Sequence, residues 1–183
     1  MAGQSHHELA PPRFDAPVKI GIIVAPYYKD IADQLVAGAT AAVEGVGGTV
    51  EVIEVPGALE VPTAIRILHR QANFDGFVAL GCVIRGETTH YDTVCNDSSR
   101  ALTLLGLEGA CIGNGILTVE TYAQAELRAD AAGQNKGGGA AAAALHLVAL
   151  TRRFGRPRGG LGFRPQGDVI EVAGKTDSSE GRA

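Results

Sequence analysis

Four runs of apolar, mostly β-branched residues limit what this chain can fold into more than any other feature. They are "VKIGIIV" at 18–24, "TVEVIEV" at 49–55, "GFVALGCVI" at 76–84 and "ACIGNGIL" at 110–117. Runs of this kind are the pattern of strands buried on both faces of a parallel sheet. Each precedes a segment of helical period, which predicts helices over about 29–46, 58–72, 89–106, 120–132 and 136–154. Pro62 is compatible with the second helix because it falls in the first turn. The resulting order is βαβαβαβαα. Strands alternating with helices of this length need right-handed crossovers, so the expected fold class is α/β, a three-layer sandwich with a four-stranded parallel sheet. Sheets of that type bind their ligands beyond the carboxyl ends of the strands.

A chain of 183 residues, 45% of them hydrophobic, has material for one core. Residues 1–17 read as a flexible leader, 18–155 as the folded domain, and 156–183 as an extension rich in Gly, Pro and charge without a core of its own. A net charge of −4 gives no electrostatic footprint for nucleic acid. The one basic cluster, "TRRFGRPRGG", reads as a solvated tail in preference to a site for an anionic partner. No stretch approaches the roughly 20 apolar residues of a membrane span, and the first residues carry no apolar signal core, so a cytoplasmic protein is expected. Three cysteines, Cys82, Cys95 and Cys111, lack CxxC spacing and predict neither a metal site nor a disulfide. His6 and His7 sit in the Pro-containing leader and read as surface residues.

The polar and glycine-bearing clusters fall just after the strands. "APYYKD" follows the first and sets Tyr27 and Tyr28 at the sheet's edge, either as a stacking platform for a flat ring or as packing at a helix cap. "VPGALEVP" follows the second. There Pro56 and Gly57 enforce a turn, Ala58 and Leu59 bring free N–H groups to a helix start, and Glu60 either favours the helix dipole or contacts a substrate. "GCVIRGETTHYDTVCN" spans the end of the third strand and the start of the third helix. Gly86, Glu87, Thr88 and Thr89 form a turn into that helix, whose N–H groups and hydroxyls can hold an anion. His90, beside Arg85 and Asp92, is either an ordinary helical histidine or an imidazole able to move protons near neutral pH. Arg128 and Lys136, around "RADAAGQNKGGG", are surface cations able to add charge to a phosphate. "GKT" at 174–176 is no P-loop, because Val169 stands where its first glycine belongs, and GxSxG is absent.

In this order and spacing, "VPGALEVP", "ALGCVIRGETTHYDTVCN", "GNGILTVET" and "NKGG" closely resemble the 6,7-dimethyl-8-ribityllumazine synthase family over about residues 18–154. The resemblance implies a flavodoxin-like sandwich whose residues 18–155 form the catalytic domain. It implies condensation of 5-amino-6-(D-ribitylamino)uracil with 3,4-dihydroxy-2-butanone 4-phosphate, without a cofactor or metal. By position, Tyr27 matches the aromatic that stacks on the pyrimidine, and Gly57, Ala58 and Glu60 match the turn that binds the ribityl chain and ring edge. Val83 and Ile84 match the backbone facing the ring, Glu87 and Thr88 the phosphate turn, His90 the proton-transfer residue, and Arg128 the phosphate-binding arginine, supplied by the adjoining subunit. Lys136 is a further candidate for substrate binding beside it. Leu59 and Asn114 belong to the same set but depart from it. Many relatives carry phenylalanine at the first position, and at the second an aromatic that closes the neighbour's pocket.

The same resemblance implies a homo-oligomer built on a pentamer, with a sixty-subunit shell as the larger alternative and riboflavin synthase as a candidate partner. No nucleic acid and no membrane are expected. The alanine-rich helix 136–154 suits close helix contacts between subunits or within one chain. Two rival readings stand beside the enzyme: a module that binds flavin or lumazine without turnover, and a shell-forming relative.

Overall fold

A computed structural model describes residues 9–155; His6, His7, the "GKT" segment and the rest of the 156–183 extension lie outside the described residues. The elements are β1 (Lys19–Val24), α1 (Lys29–Glu44), β2 (Thr49–Glu54), α2 (Glu60–Gln71), β3 (Gly76–Ile84), α3 (His90–Leu107), β4 (Ile112–Val119), α4 (Tyr122–Ala129) and α5 (Lys136–Phe154). All strand pairs are parallel, and the sheet order is β2-β1-β3-β4. The expected α/β three-layer sandwich with a four-stranded parallel sheet is therefore observed.

The chain leaves β1 toward β2 on one side and returns from β2 to β3 on the other. That reversal puts α1, α4 and α5 over one face, around Ile22, Leu35, Leu80, Ala141 and Leu145, and α2 and α3 over the other, around Ile23, Ile65, Phe77 and Leu102. It also opens a crevice at the carboxyl ends of β1 and β3, the point where sheets of this order bind ligands. Among the described residues no helix is long and apolar enough to cross a membrane.

The central strands β1 and β3 are buried as their composition demands. The two outer strands are not. The sequence pattern predicts β2 covered on both faces, yet its residues are exposed or half-buried, with Val52 44% exposed. β4 alternates between buried and more exposed positions. Each outer strand lacks one neighbour, and Glu51 and Glu54 already interrupt the apolar run of β2. β4 also begins and ends two residues later than expected, because its register is set by pairing with β3, from Phe77 opposite Ile112 to Ile84 opposite Val119. α4 is shorter than the predicted 120–132; it ends at Asp130, whose φ of −46° and ψ of 109° leave the helical region.

The "NKGG" segment has a packing explanation. Asn135 adopts the left-handed conformation, with φ 45°, and its side-chain oxygen accepts from the Gly138 N–H at 2.9 Å, capping α5. A cap of this kind stabilises by about 1 kcal/mol. At Gly137 a Cβ would lie 2.8 Å from the Leu35 carbonyl carbon, so glycine lets α5 touch the backbone of α1. Ala140, Ala141 and Ala144 are buried within the same chain, which accounts for the alanine run by intrachain packing. At the other end of α5, Arg152 donates to the carbonyls of Ala16 and Pro17 at 2.7 and 2.9 Å and to Asp75 at 3.1 Å. Its guanidinium lies 5.2 Å from the Phe14 ring. The end of the leader is thereby fastened under the sheet.

Candidate active site

The cleft at the carboxyl ends of the strands has a volume of about 450 Å³. β1 delivers its first wall. The Ala25 N–H donates to the Leu80 carbonyl at 3.0 Å, which carries the chain past the sheet before α1 begins. Tyr27 is 77% exposed, so a ring face is available for stacking. It meets Tyr28 edge to face, with centroids 5.0 Å apart, and Tyr28 packs against the core. Of the two readings of this pair, Tyr28 takes the packing and Tyr27 keeps a free surface. Burial, followed by Tyr27 and Cys82, pushes the Tyr28 hydroxyl upward.

β2 delivers the second wall. The Glu60 N–H donates to the Gly57 carbonyl at 3.1 Å, closing the turn predicted from Pro56 and Gly57. Glu60 is the first residue of α2, and its carboxylate folds back over that turn. A Cβ at residue 57 would lie 2.8 Å from one of its oxygens. Glycine at 57 thus leaves room for the carboxylate at the mouth of the cleft, and Glu60 serves the helix dipole from there. Ala58 is buried, whereas Leu59 presents an exposed side chain.

β3 forms the floor with Cys82, Val83 and Ile84. Burial, and then the charge of Asp30, pushes the Cys82 thiol up to about 11, so it remains a neutral apolar surface. The sequence places Arg85 beside His90 in one functional loop. In the structure its guanidinium instead pairs with Glu120 at 2.9 Å and Asp92 at 3.3 Å and stacks 4.0 Å from the Tyr91 ring centroid. It ties the loop after β3 to the end of β4, and that loop is further fixed by the Arg85 N–H donating to the Val119 carbonyl at 2.9 Å.

Glu87 and Thr88 lie in the exposed turn that leads to α3. The N-cap residue Thr89 makes no side-chain cap bond, so the first N–H groups of α3 stay open to an anion. His90 is the first residue of α3, exposed, and lines the cleft.

Tyr27, Gly57, Ala58, Leu59, Glu60, Val83, Ile84 and His90 are therefore brought together, with the Glu87–Thr88 turn adjoining His90. Asn114, Arg128 and Lys136 are not among the residues lining the cleft. Asn114 lies within β4 opposite Ala79, with its side-chain oxygen accepting from the Ile116 N–H at 3.0 Å. Arg128 lies in the last turn of α4 and donates to the Gln134 side chain at 3.5 Å, and Lys136 begins α5. Sequence reasoning missed Ala25, Cys82 and Val94 as lining residues. Cys82 could have been found by counting two residues back from Ile84 along a strand. Among the described residues no cluster of three or more His, Cys, Asp or Glu is placed to hold a metal ion.

An exposed aromatic face, a carboxylate, the end of β3, an open helix start and an imidazole thus converge on one cleft. That set can hold a flat polar ring next to an anion and move protons between them. A sequence model of the family described as 6,7-dimethyl-8-ribityllumazine synthase matches residues 17–152. A protein of that name from Jannaschia sp. (strain CCS1) is 61% identical over 173 residues, covering 94% of this chain and 97% of its own. One from Methylorubrum extorquens (strain PA1) is 55% identical over 143 residues, covering 75% and 83%. One from Novosphingobium aromaticivorans is 52% identical over 136 residues, covering 74% and 98%.

Proposed function

This chain belongs to the 6,7-dimethyl-8-ribityllumazine synthase family, and from that premise we propose that the cleft between Tyr27 and His90 is where it makes its product. The enzyme is a transferase of riboflavin biosynthesis that condenses 5-amino-6-(D-ribitylamino)uracil with 3,4-dihydroxy-2-butanone 4-phosphate. The observation that carries the site assignment is the convergence of Tyr27, Glu60, the Val83–Ile84 edge and His90 on one cleft.

In this reading the pyrimidine stacks on Tyr27, while the Gly57–Glu60 turn and the backbone at 83–84 take its polar edge and the ribityl chain. The butanone phosphate sits with its anion against the Glu87–Thr88 turn and the start of α3. The 5-amino group attacks the ketone, and loss of water gives an imine. Loss of the proton on the carbinol carbon then expels phosphate and leaves an enol, which takes up a proton at carbon to become a ketone. The ribityl-bearing nitrogen closes the second ring on that ketone with loss of another water. Nothing is oxidised or reduced. His90 stands where a proton must reach the departing oxygen and leave the attacking nitrogen. Holding two reactants in register is the larger contribution, worth up to roughly 7–11 kcal/mol when the geometry is good.

Arg128, Lys136 and Asn114 have a role in this scheme if they complete the cleft of an adjoining chain. We therefore assign a closed ring of five chains as the active form, in preference to the sixty-subunit shell, with riboflavin synthase as a candidate partner. A light-scattering mass of about five chains is expected, and an active monomer would contradict the ring. We assign a cytoplasmic location, which fits cysteines present as free thiols. The domain division into 1–17, 18–155 and 156–183 is retained, with catalysis in the middle segment.

The proposal is tested by mixing the purified protein with both substrates. Lumazine fluorescence and phosphate should appear together in equal amounts; tight binding without product would overturn it. Arg128→Ala should raise KM for the butanone phosphate by roughly tenfold or more, the worth of a charged hydrogen bond, with little effect on the uracil. Equal losses for both substrates, measured by steady-state kinetics, would remove Arg128 from the phosphate site.

A further inference from the structure

Tyr122 falls one residue after the "GNGILTVET" motif and does not line the cleft. It nevertheless reaches the segment that presents Tyr27 by two routes. Its hydroxyl donates to the carboxylate of Asp30, in the first turn of α1. Its ring stands edge to face against Tyr28, with centroids 6.0 Å apart and planes at 74°. Tyr28 in turn stands edge to face against Tyr27 at 5.0 Å and 75°. We propose that Tyr122, acting through Asp30 and Tyr28, is a positioning residue that fixes the Tyr27 ring for the flat substrate. The proposal rests on the reading of Tyr27 as the stacking platform.

The direction of support is set by how each side is mounted. Tyr122 opens α4, whose start is capped by the Thr121 hydroxyl accepting from the Gln124 N–H at 3.3 Å. Glu120 adds a second tie, its N–H donating to the Gln124 side chain at 2.9 Å. Ala125 and Ala129, both fully buried, then seat one face of the helix against the core. The Tyr27 segment has much less holding it. α1 begins at Lys29 with Tyr28 as N-cap and no side-chain cap bond, and Tyr27 is largely exposed. Asp30 is held low by its bond to Tyr122, and Tyr122 is pushed up to about 12 by Asp30, so donor and acceptor keep their roles across the neutral range.

A plain staple between α1 and α4 would make the same contacts, and the two roles differ in what they do to the substrates. Tyr122→Phe keeps the ring against Tyr28 and removes the hydrogen bond. Asp30→Ala removes the acceptor, and Asp30→Asn retains one. The first two variants should raise KM for the ribitylaminouracil about three- to tenfold while leaving KM for the butanone phosphate within about twofold, and Asp30→Asn should recover most of the loss. Adding Tyr122→Phe to Tyr27→Ala should change the uracil KM no further, because the ring being positioned is gone. Equal shifts for both substrates, or an additive effect in the double variant, would overturn the positioning role. If Tyr27→Ala leaves the uracil KM unchanged, the platform reading itself fails and the proposal falls with it. If Tyr27→Ala raises that KM and Tyr122→Phe does not, only the positioning role fails.

Discussion

Gly113→Ala is expected to lower the melting temperature by roughly 6–12 °C or more. Gly113 lies in β4 where α5 crosses it, and a Cβ there would run into the Ala140 carbonyl, with the carbonyl carbon at 2.7 Å and the Ala144 nitrogen at 3.1 Å. These are backbone atoms in the middle of a helix, so no rotamer change relieves the clash. Either α5 must move away from the sheet or β4 must slip. Moving α5 opens the cluster that holds Ala141, Ala144, Leu145 and Val148, all of them buried. Overpacking a core ordinarily costs about 1–3 kcal/mol, and an obstacle made of backbone belongs at or above the top of that range. Against a total stability of roughly 5–15 kcal/mol the loss is severe. Gly139→Ala is the contrast: a Cβ there meets nothing within 4 Å, and helix propensity favours alanine by up to about 1 kcal/mol. Thermal melts followed by circular dichroism separate the two. A Gly113→Ala protein melting within about 2 °C of its parent would mean that strand and helix are not in such contact.

His90→Ala is expected to lower kcat by roughly 10²-fold or more while leaving the melting temperature close to the parent's. The side chain is exposed at the start of α3, so its loss removes no core packing. What it removes is the imidazole at the rim of the cleft, next to the turn where phosphate would depart. The two KM values should change little, since stacking on Tyr27 and the open start of α3 do not depend on it. A saturated rate equal to the parent's would take His90 out of the mechanism.

The layered fold was legible because burial in a parallel sheet writes itself into composition. β1 beyond Lys19 and the whole of β3 stand in the sequence as unbroken apolar runs, and both strands lie in the middle of the sheet. β2 reads as equally buried only when its apolar run is weighed without regard to its glutamates, and edge position depends on strand order, which no local pattern encodes. The cleft was legible for a related reason. Tyr27, the Gly57–Glu60 turn and His90 each come after a strand, and parallel strands bring their carboxyl ends to one place. Arg85 was harder to read. Its partner Glu120 is 35 positions away, and only the pairing of β3 with β4 brings the two together. The bond between Asp30 and Tyr122, 92 positions apart, is invisible to sequence for the same reason.

The central claim is that the condensation occurs in a cleft that two chains complete, with His90 from one and Arg128 from the next. Co-expression of His90→Ala and Arg128→Ala chains tests it most directly. In mixed rings about a quarter of the interfaces would carry an intact His90 facing an intact Arg128, if the chains assemble at random around a head-to-tail ring. Assayed with the butanone phosphate well below its KM, where both single variants are slow, the rate of lumazine formation should then recover to about a quarter of the parent's, above either variant alone. A rate no higher than the average of the two separate variants would contradict a shared site.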